Sequence, residues 1–264
     1  VKGNASITEL DVSGNNLEDS GLRLIAAGIA DSNLCHNTTL RRLSVADNGI
    51  SPDGALTLSL ALKVRAVRVV NIDVSANPLY DTGITHMFDA VFMGTPFVSV
   101  CVADCQFGLP GVVKMAEAVA VSETLKVLDV SNRYKDEVGA YALGNKIDEM
   151  GSQVLADAIG DSHSVTMLDI SGNTIGPKGA AALLERLLPA NVYTEIPNPE
   201  RGFMGVVNDW NDRETMRQRG SKGCLRSLKL RDCSLGSEAA QAIAKELGRN
   251  PALLGLDLCQ SGVG

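Results

Sequence analysis

The amino-acid sequence predicts an α/β fold: a horseshoe-shaped solenoid with parallel strands on its concave face and helices on its convex face. Three observations predict it. An apolar string recurs along the chain, and its central residue falls at Leu10, Leu43, Ile72, Val100 and Leu128, which are 33, 29, 28 and 28 residues apart. The first half of each unit has the period of a strand, and the second half has the period of a helix. A repeat of this length indicates stacked supersecondary units rather than one globular core.

Each unit opens with a short predicted strand. Its central residue and the residue two positions later are apolar, so both side chains are expected to point inward. The central residues are Leu10, Leu43, Ile72, Val100, Leu128, Leu168, Leu228 and Leu256. The second residues are Val12, Val45, Val74, Val102, Val130, Ile170, Leu230 and Leu258. The strands are therefore eight, and the end of the chain cuts off the last unit.

The second half of each unit predicts a helix. A small residue precedes it, and apolar residues follow at helical spacing, such as Leu22, Ile25, Ala26 and Ile29 in the first unit. The small residues are Gly21, Gly54, Gly83, Gly111, Gly151, Gly179 and Ala239. Because strand and helix alternate, the strands must be parallel. A helix is about 10 Å wide and strands are about 4.8 Å apart, so the stack must curve with its strands inside.

A polar ladder is expected where each strand turns towards its helix. An amide or thiol at this bend can satisfy backbone groups of the neighbouring loop. Its members are Asn15, Asn48, Asn77, Cys105, Asn145, Asn173 and Cys233. Ser261 takes this place in the last unit, which departs from the pattern.

The units resemble leucine-rich repeats of the ribonuclease-inhibitor type, which share the Asn/Cys ladder, the long helical half and the small residue before the helix. The resemblance covers nearly the whole chain outside two insertions. Repeats of this type occur in ribonuclease inhibitor, Ran GTPase-activating protein, nucleotide-binding innate receptors, tropomodulin and CARMIL-type actin regulators. These proteins share no chemistry, so the resemblance implies the fold and leaves the function to be argued from the site.

Residues 1–264 are predicted to form one elongated domain of about eight repeats. We expect the chain to be a piece of a longer protein, since it stops inside a repeat and a solenoid needs a polar cap. The first insertion is residues 133–144, between strand and helix, and should project from one rim with Tyr134 as a candidate contact residue. The alternative is that Asn132 is the ladder residue, with the register shifted by one. The regular spacing from Asn145 to Gly151 favours Asn145.

The second insertion is residues 189–223. Leu168 and Leu228 are about two periods apart, so an additional repeat could lie between them. Its strand would contain Pro197 and Pro199, and proline is not expected within a central strand. One interpretation is a solvated loop whose apolar residues pack on the flank of the solenoid. The other is a binding element with Phe203, Trp210 and Arg217, residue types favoured at binding hot spots.

The composition bounds the partners and the location. A net charge of −7 disfavours nucleic acid, which needs a basic surface. No apolar run approaches the roughly 20 residues of a membrane span, and the first residues are not a signal peptide. The six cysteines show no zinc spacing and are expected as reduced thiols in the cytoplasm. The oligomeric state is left open.

No catalytic, cofactor or metal site is expected. His36, His86 and His163 belong to different units, and no glycine loop matches a phosphate-binding motif. A partner-binding surface is expected on the concave face, where five of eight outward strand positions are acidic: Asp11, Asp73, Asp129, Asp169 and Asp257. Arg42 lies in the neighbouring column. The acidic row would attract a basic partner; alternatively, these aspartates are solvated or bonded to neighbouring backbone, as is usual in Leu-Asp-Val-Ser strands.

The sequence therefore favours a non-catalytic scaffold that binds a protein through the concave face, the rims and the insertions. Two alternatives remain. One is a GTPase regulator resembling Ran GTPase-activating protein, whose acidic C-terminal tail has no counterpart here; a stimulated-GTPase assay separates it. The other is the recognition domain of a larger receptor or cytoskeletal regulator.

Overall fold

A computed structural model describes residues 6–30, 38–64, 67–141, 143–187, 196–197, 204–205, 225–247 and 253–262 of the 264-residue chain. The strands are β1 Glu9–Asp11, β2 Arg42–Ser44, β3 Asn71–Asp73, β4 Ser99–Cys101, β5 Val127–Asp129, β6 Met167–Asp169, β7 Ile196–Pro197, β8 Met204–Gly205, β9 Ser227–Lys229 and β10 Gly255–Asp257. The helices are α1 Glu18–Ala30, α2 Pro52–Leu62, α3 Tyr80–Phe92, α4 Leu109–Val121, α5 Glu149–Asp161, α6 Gly176–Leu187 and α7 Gly236–Leu247.

Eight of the strands form one parallel sheet in the order β1-β2-β3-β4-β5-β6-β9-β10. Equivalent residues of successive units face each other, as Leu10 faces Leu43 and Leu43 faces Ile72. Each helix lies against the helices of the neighbouring units. The prediction of an α/β solenoid with an inner wall of parallel strands is thereby confirmed.

The sheet continues across the second insertion. β6 pairs directly with β9, with Leu168 opposite Leu228. Within the insertion, β7 and β8 form a separate two-stranded antiparallel sheet. No strand of residues 196–197 or 204–205 joins the main sheet, so the part of the insertion that the structure describes adds no strand to the inner wall.

The core runs the length of the stack between sheet and helices. The central strand residues and their helical partners are buried together, as Leu43, Leu58 and Ile72 are. Phe88, Phe97 and Phe107 are the largest fully buried side chains and fill the middle units. Each unit has one apolar face that only its neighbours cover, which is why the repeats are stable as a stack.

The ladder residues satisfy backbone groups of two units at once. The Asn77 side chain accepts hydrogen bonds from the amides of Asn48 and Ile50 at 3.0 and 2.9 Å. Its Nδ2 donates to the carbonyls of Val45, Val74 and Ser75. Corresponding contacts to two units are made by Asn48, Cys105, Asn145, Asn173, Cys233 and Ser261. In the first unit, the Asn15 side chain donates only to carbonyls of its own unit. The ladder thus joins consecutive units where the backbone would otherwise be unpaired.

Aspartates of one helix cap the next helix, a contact that the sequence analysis missed. Asp19 in α1 accepts from the amide of Ser51, the residue before α2, at 2.8 Å. Asp81 in α3 accepts from the amides of Gly108 and Gly111 at the start of α4, at 2.8 and 2.9 Å. A carboxylate suits a helix N-terminus because free amides and the helix dipole favour negative charge there. The sequence does contain a signal for this contact: an aspartate in the first turn of one predicted helix, one repeat before the start of the helix that it caps.

The first insertion leaves and rejoins the repeat without disturbing the register. The amide of Asn132 donates to the carbonyl of Ser171, as the amide of Asp104 donates to that of Ser131. Asn145 then occupies the ladder position, with its Nδ2 donating to Val102 and Val130 at 3.0 Å. Asn132 is also bonded to it, since the Asn145 amide donates to the Asn132 side chain at 2.6 Å.

Deleting residues 133–144 is expected to leave the solenoid folded, because the deletion joins Asn132 to Asn145. The junction reproduces the Asp47–Asn48 and Asp104–Cys105 steps of other units, and asparagine tolerates the left-handed backbone that Asp47 adopts there. We expect a loss of about 1 to 3 kcal/mol, because the deletion removes exposed ion pairs and takes the Arg133 amide away from the buried Asp104 carboxylate. Thermal unfolding followed by circular dichroism measures it.

A deletion of the same length over residues 145–156 is the matched control, since it removes a ladder residue and half of α5. It should abolish cooperative unfolding. If the 133–144 deletion does the same, this segment is an integral part of the repeat and the register assignment is wrong.

Candidate protein-binding face

The concave face presents the five predicted aspartates in a row along the strand ends. Each uses one carboxylate oxygen, Oδ1, to accept a hydrogen bond from the backbone amide two residues later: Ser13, Ser75, Ser131, Ser171 and Cys259 donate at 2.9 to 3.2 Å. The serine hydroxyls of the first three also donate to Oδ1 at 2.6 Å. The row is therefore partly structural, and only the second oxygen, Oδ2, faces outward for a partner.

These second oxygens divide the row into two halves. Asp129 is paired with Arg133, Asp169 with Lys229 at 3.0 Å, and Asp257 with Arg231 at 3.6 Å. Among the described residues, Asp11 and Asp73 form no ion pair, although the charge of Arg133 also acts on Asp73. The Ser13 hydrogen bonds lower the pKa of the Asp11 carboxyl, which keeps it ionised. The unneutralised charge of the row thus lies at its N-terminal end.

An open cavity of ≈ 270 Å³ lies over this N-terminal half, here named the acidic groove. All three residues of β1, β2 and β3 line it, together with Ser99 and Cys101 of β4. Arg42, a predicted contact residue, lies at its edge and forms an exposed pair with Glu9 at 3.1 Å. The groove therefore combines hydroxyl and amide groups with the free oxygens of Asp11 and Asp73.

Arg133 lies beside the acidic groove, where its side chain contacts Cys101 of the groove lining. Its backbone amide donates to both carboxylate oxygens of the buried Asp104, at 3.1 and 3.0 Å. Its Nη2 reaches over β4 to donate to Cys101 Sγ at 3.2 Å and to Asp129 Oδ2. Burial raises the pKa of the Cys101 thiol, so that side chain is neutral. A residue of the first insertion thus covers part of the concave face.

The rest of the first insertion was expected to project from one rim, and the structure shows part of it bound to the solenoid. Tyr141 Oη donates to Asp232 Oδ2 at 2.9 Å, and Lys135 forms an ion pair with the same carboxylate. Lys135 Nζ also lies 5.0 Å from the Tyr141 ring centre, a cation–π contact. These contacts fasten the insertion to the unit of β9. The candidate Tyr134 is left 64% exposed on it.

The Asp232 contact makes the insertion sensitive to acid. The hydrogen bond from Lys135 holds the pKa of Asp232 below its ordinary value. A depressed carboxyl pKa contributes stability above the unfolded value of about 3.9, and this stability is lost as pH falls through the folded value. We expect Lys135→Ala to raise the pKa of Asp232 towards the ordinary value, read from its carboxyl ¹³C shift in an NMR titration.

Lys146→Ala removes one positive charge just beyond the insertion and serves as the control, because no contact joins Lys146 to Asp232. An unchanged pKa in Lys135→Ala, or an equal rise in both variants, would show that Lys135 does not hold this carboxylate.

Several candidates are not placed by the structure. Phe203, Trp210 and Arg217 lie outside the described residues, as do His36, Cys35 and Cys224. Across the described ranges, no group of three or more His, Cys, Asp and Glu side chains is placed to hold a metal ion. Within those same ranges, no helix has the length and apolar character that crossing a membrane requires.

Comparison with known proteins finds similar repeats. The family described as Leucine Rich repeat matches residues 3–26, 36–59, 161–184 and 224–244. Pig ribonuclease inhibitor is 24% identical over 315 aligned positions, which cover 100% of this chain and 66% of the inhibitor. The chain contains leucine-rich repeats and is similar to ribonuclease inhibitors along its length. Mouse ribonuclease inhibitor is similarly related, at 25% identity over 98% of this chain and 54% of the inhibitor.

Another relative and a solved structure are also similar to part of the chain. Human NACHT, LRR and PYD domains-containing protein 3 is 25% identical over 94% of this leucine-rich repeat chain, which spans 25% of that protein. The chain thus spans only a part of each relative that it matches. A solved structure of leiomodin-1 actin-binding site 2 superposes with a TM-score of 0.42 and 14% identity, covering 59% of this chain and 82% of that chain.

Proposed function

We propose that this leucine-rich repeat chain is a non-catalytic scaffold that binds a protein partner through its concave face, its rims and its two insertions. The observation that carries the proposal is the acidic groove. Asp11 and Asp73 each keep one carboxylate oxygen without a partner among the described residues, in an open cavity. An open curved sheet suits an extended protein surface better than a small substrate, which is usually enclosed.

The partner segment that fits the acidic groove is basic. An arginine or lysine placed against Asp11 or Asp73 would meet a carboxylate oxygen to which no cation of the described residues is bound. Polar neighbours such as Ser44, Asn71 and Ser99 can accept or donate the remaining hydrogen bonds of such a segment. Exposed charge pairs mainly accelerate association and weaken with salt, so binding should be salt-dependent.

The relatives support a protein partner. The pig and mouse proteins are named as inhibitors of a ribonuclease, which is itself a protein. Their similarity to this chain extends over nearly all of it, including the concave strands. Neither name says which residues make the contact, so the acidic groove is argued from this chain alone.

We also propose an intracellular location. Cys105 and Cys233 occupy ladder positions in which their thiols donate to the carbonyls of Ala103 and Arg231 at 3.3 Å. Both are buried, and oxidation would remove the donor from the ladder. Reduced thiols are maintained in the cytosol and not in secreted proteins.

The test begins with a partner captured on the immobilised chain, with and without residues 189–223. Its affinity is then measured for Asp11→Asn/Asp73→Asn across a salt series. We expect about a fivefold loss for the double variant at low salt, equivalent to about 1 kcal/mol. The matched control is Asp157→Asn/Glu185→Gln, which removes the same charge from helices α5 and α6 and should leave the affinity unchanged.

A partner whose affinity ignores both salt and the double variant would overturn the acidic groove as its contact. Loss of the partner only in the 189–223 deletion would move the contact to the second insertion.

A further inference from the structure

We propose that Arg133 is an internal competitor for the acidic row: it occupies the Asp129–Cys101 position that the guanidinium of a basic partner would otherwise fill. This inference rests on the proposed function, since it concerns how the same face is regulated. Arg133 thereby limits a basic partner to the N-terminal part of the face until its side chain swings away.

The first step is that Asp129 would be free without Arg133. Its Oδ1 accepts from Ser131 in the same way that the Oδ1 of Asp73 accepts from Ser75. Its Oδ2 differs only in being bonded to Arg133. Asp129 is therefore a further member of the acidic row, and the Arg133 side chain occupies the oxygen that a partner could otherwise contact.

The second step is that Arg133 does not belong to the repeat. Lys229, which pairs with Asp169, stands at the regular strand position opposite it. Arg133 instead begins an insertion that the repeat register does not require. Lys229 is therefore part of the inner wall. Arg133, by contrast, lies after β5, and its side chain extends from the insertion to Asp129 in β5 and Cys101 in β4.

The third step is that the backbone of Arg133 is fixed while its side chain can leave. The buried Asp104 holds the Arg133 amide with both oxygens. The Arg133 side chain remains 43% exposed, and its guanidinium donates to one carboxylate oxygen and one thiol. An exposed pair of this kind is weak, so a partner's arginine can displace it at small cost.

The experiment uses the full chain and a fluorescein-labelled octalysine peptide as the probe, with binding followed by fluorescence anisotropy at low ionic strength. We expect Arg133→Ala to bind the peptide roughly two- to fivefold more tightly, the range of one exposed ion pair. Arg133→Gln, of similar side-chain length, is a second variant with the same expectation. Circular dichroism checks that every variant is folded.

Arg186→Ala is the matched control. Arg186 also pairs with two aspartates, Asp157 and Asp161, but lies in α6 on the helical side. Arg186→Ala changes the net charge by the same amount as Arg133→Ala, so a general electrostatic increase in peptide affinity would appear in both variants. An equal gain in both would overturn the inference.

Combining Arg133→Ala with Asp129→Asn tests whether Arg133 acts by occupying Asp129. If Arg133 acts by occupying Asp129, then Arg133→Ala should produce no gain beyond the control in that background. A gain that persists there would overturn the inference. The proposed function fails on a different result, namely that Asp73→Asn leaves the affinity for the peptide unchanged. If Asp73→Asn weakens binding but Arg133→Ala does not strengthen it, only this inference is refuted.

Discussion

Asn77→Ala is expected to destabilise the solenoid by roughly 3 to 5 kcal/mol. The side chain is fully buried and makes five hydrogen bonds to backbone groups of two units. Each such bond contributes about 1 kcal/mol, and a buried group left without a partner costs about 1 to 3 kcal/mol. Denaturant unfolding followed by circular dichroism measures the loss.

Asn15→Ala is the control for this prediction. Asn15 holds the same position in the first unit, but it is exposed and its recorded side-chain contacts are donations to Val12 and Ser13. We expect a loss below about 1 kcal/mol, because water can replace those bonds. Equal losses for Asn77→Ala and Asn15→Ala would mean that burial of the ladder contributes nothing.

Asn77→Asp tests the direction of the hydrogen bonds. The carboxylate is almost the same size and can still accept from Asn48 and Ile50, but it cannot donate to the three carbonyls. A buried charge facing carbonyl oxygens is unfavourable, so the loss should at least equal that of Asn77→Ala. A stable Asp variant would contradict the assigned amide orientation.

Gly83→Val is expected to destabilise the fold by about 2 to 3 kcal/mol through overpacking. A Cβ at Gly83 would lie 2.8 Å from Leu79 Cβ and 3.4 Å from both Ala55 Cβ and Pro52 Cα of the preceding helix. Helix propensity alone predicts the opposite sign for Gly83→Ala, a gain of up to about 1 kcal/mol. The close approach of α2 and α3 decides the outcome, and thermal unfolding measures it.

Gly108→Ala is the matched control, because a Cβ there meets no atom within 4 Å and the backbone is not left-handed. Its stability should fall by no more than about 1 kcal/mol, because Gly108 is the N-cap of α4 and alanine is a poorer N-cap than glycine. If Gly83→Val is as stable as Gly108→Ala, helix spacing does not depend on the small residue.

The repeat could be predicted from the sequence because contacts in a solenoid join equivalent positions of adjacent units. The string around Leu43 therefore carries the same information as its neighbours at Leu10 and Ile72. The structure shows each of these residues opposite the next in the sheet. A register error in one unit is visible against the others, which is how Asn145 could be preferred to Asn132.

The paired half of the acidic row was only partly predictable. Asp169 and Lys229 stand in the same column of adjacent strands, so their ion pair follows from the register. Arg231 lies two residues after Lys229 and reaches Asp257 of the next strand. The repeat pattern predicts the backbone positions of Lys229 and Arg231, but it does not predict which carboxylate oxygen each side chain contacts.

The sequence by itself determined the order of strands and helices, the buried columns and the ladder, since all of these repeat and each copy supports the others. Only the tertiary structure decided the course of residues 133–141. Arg133 contacts Cys101 and Asp129, whereas Tyr141 contacts Asp232 far along the chain. An insertion occurs once, so no periodicity constrains it. Its position depends on which side chains of the finished solenoid lie within its reach.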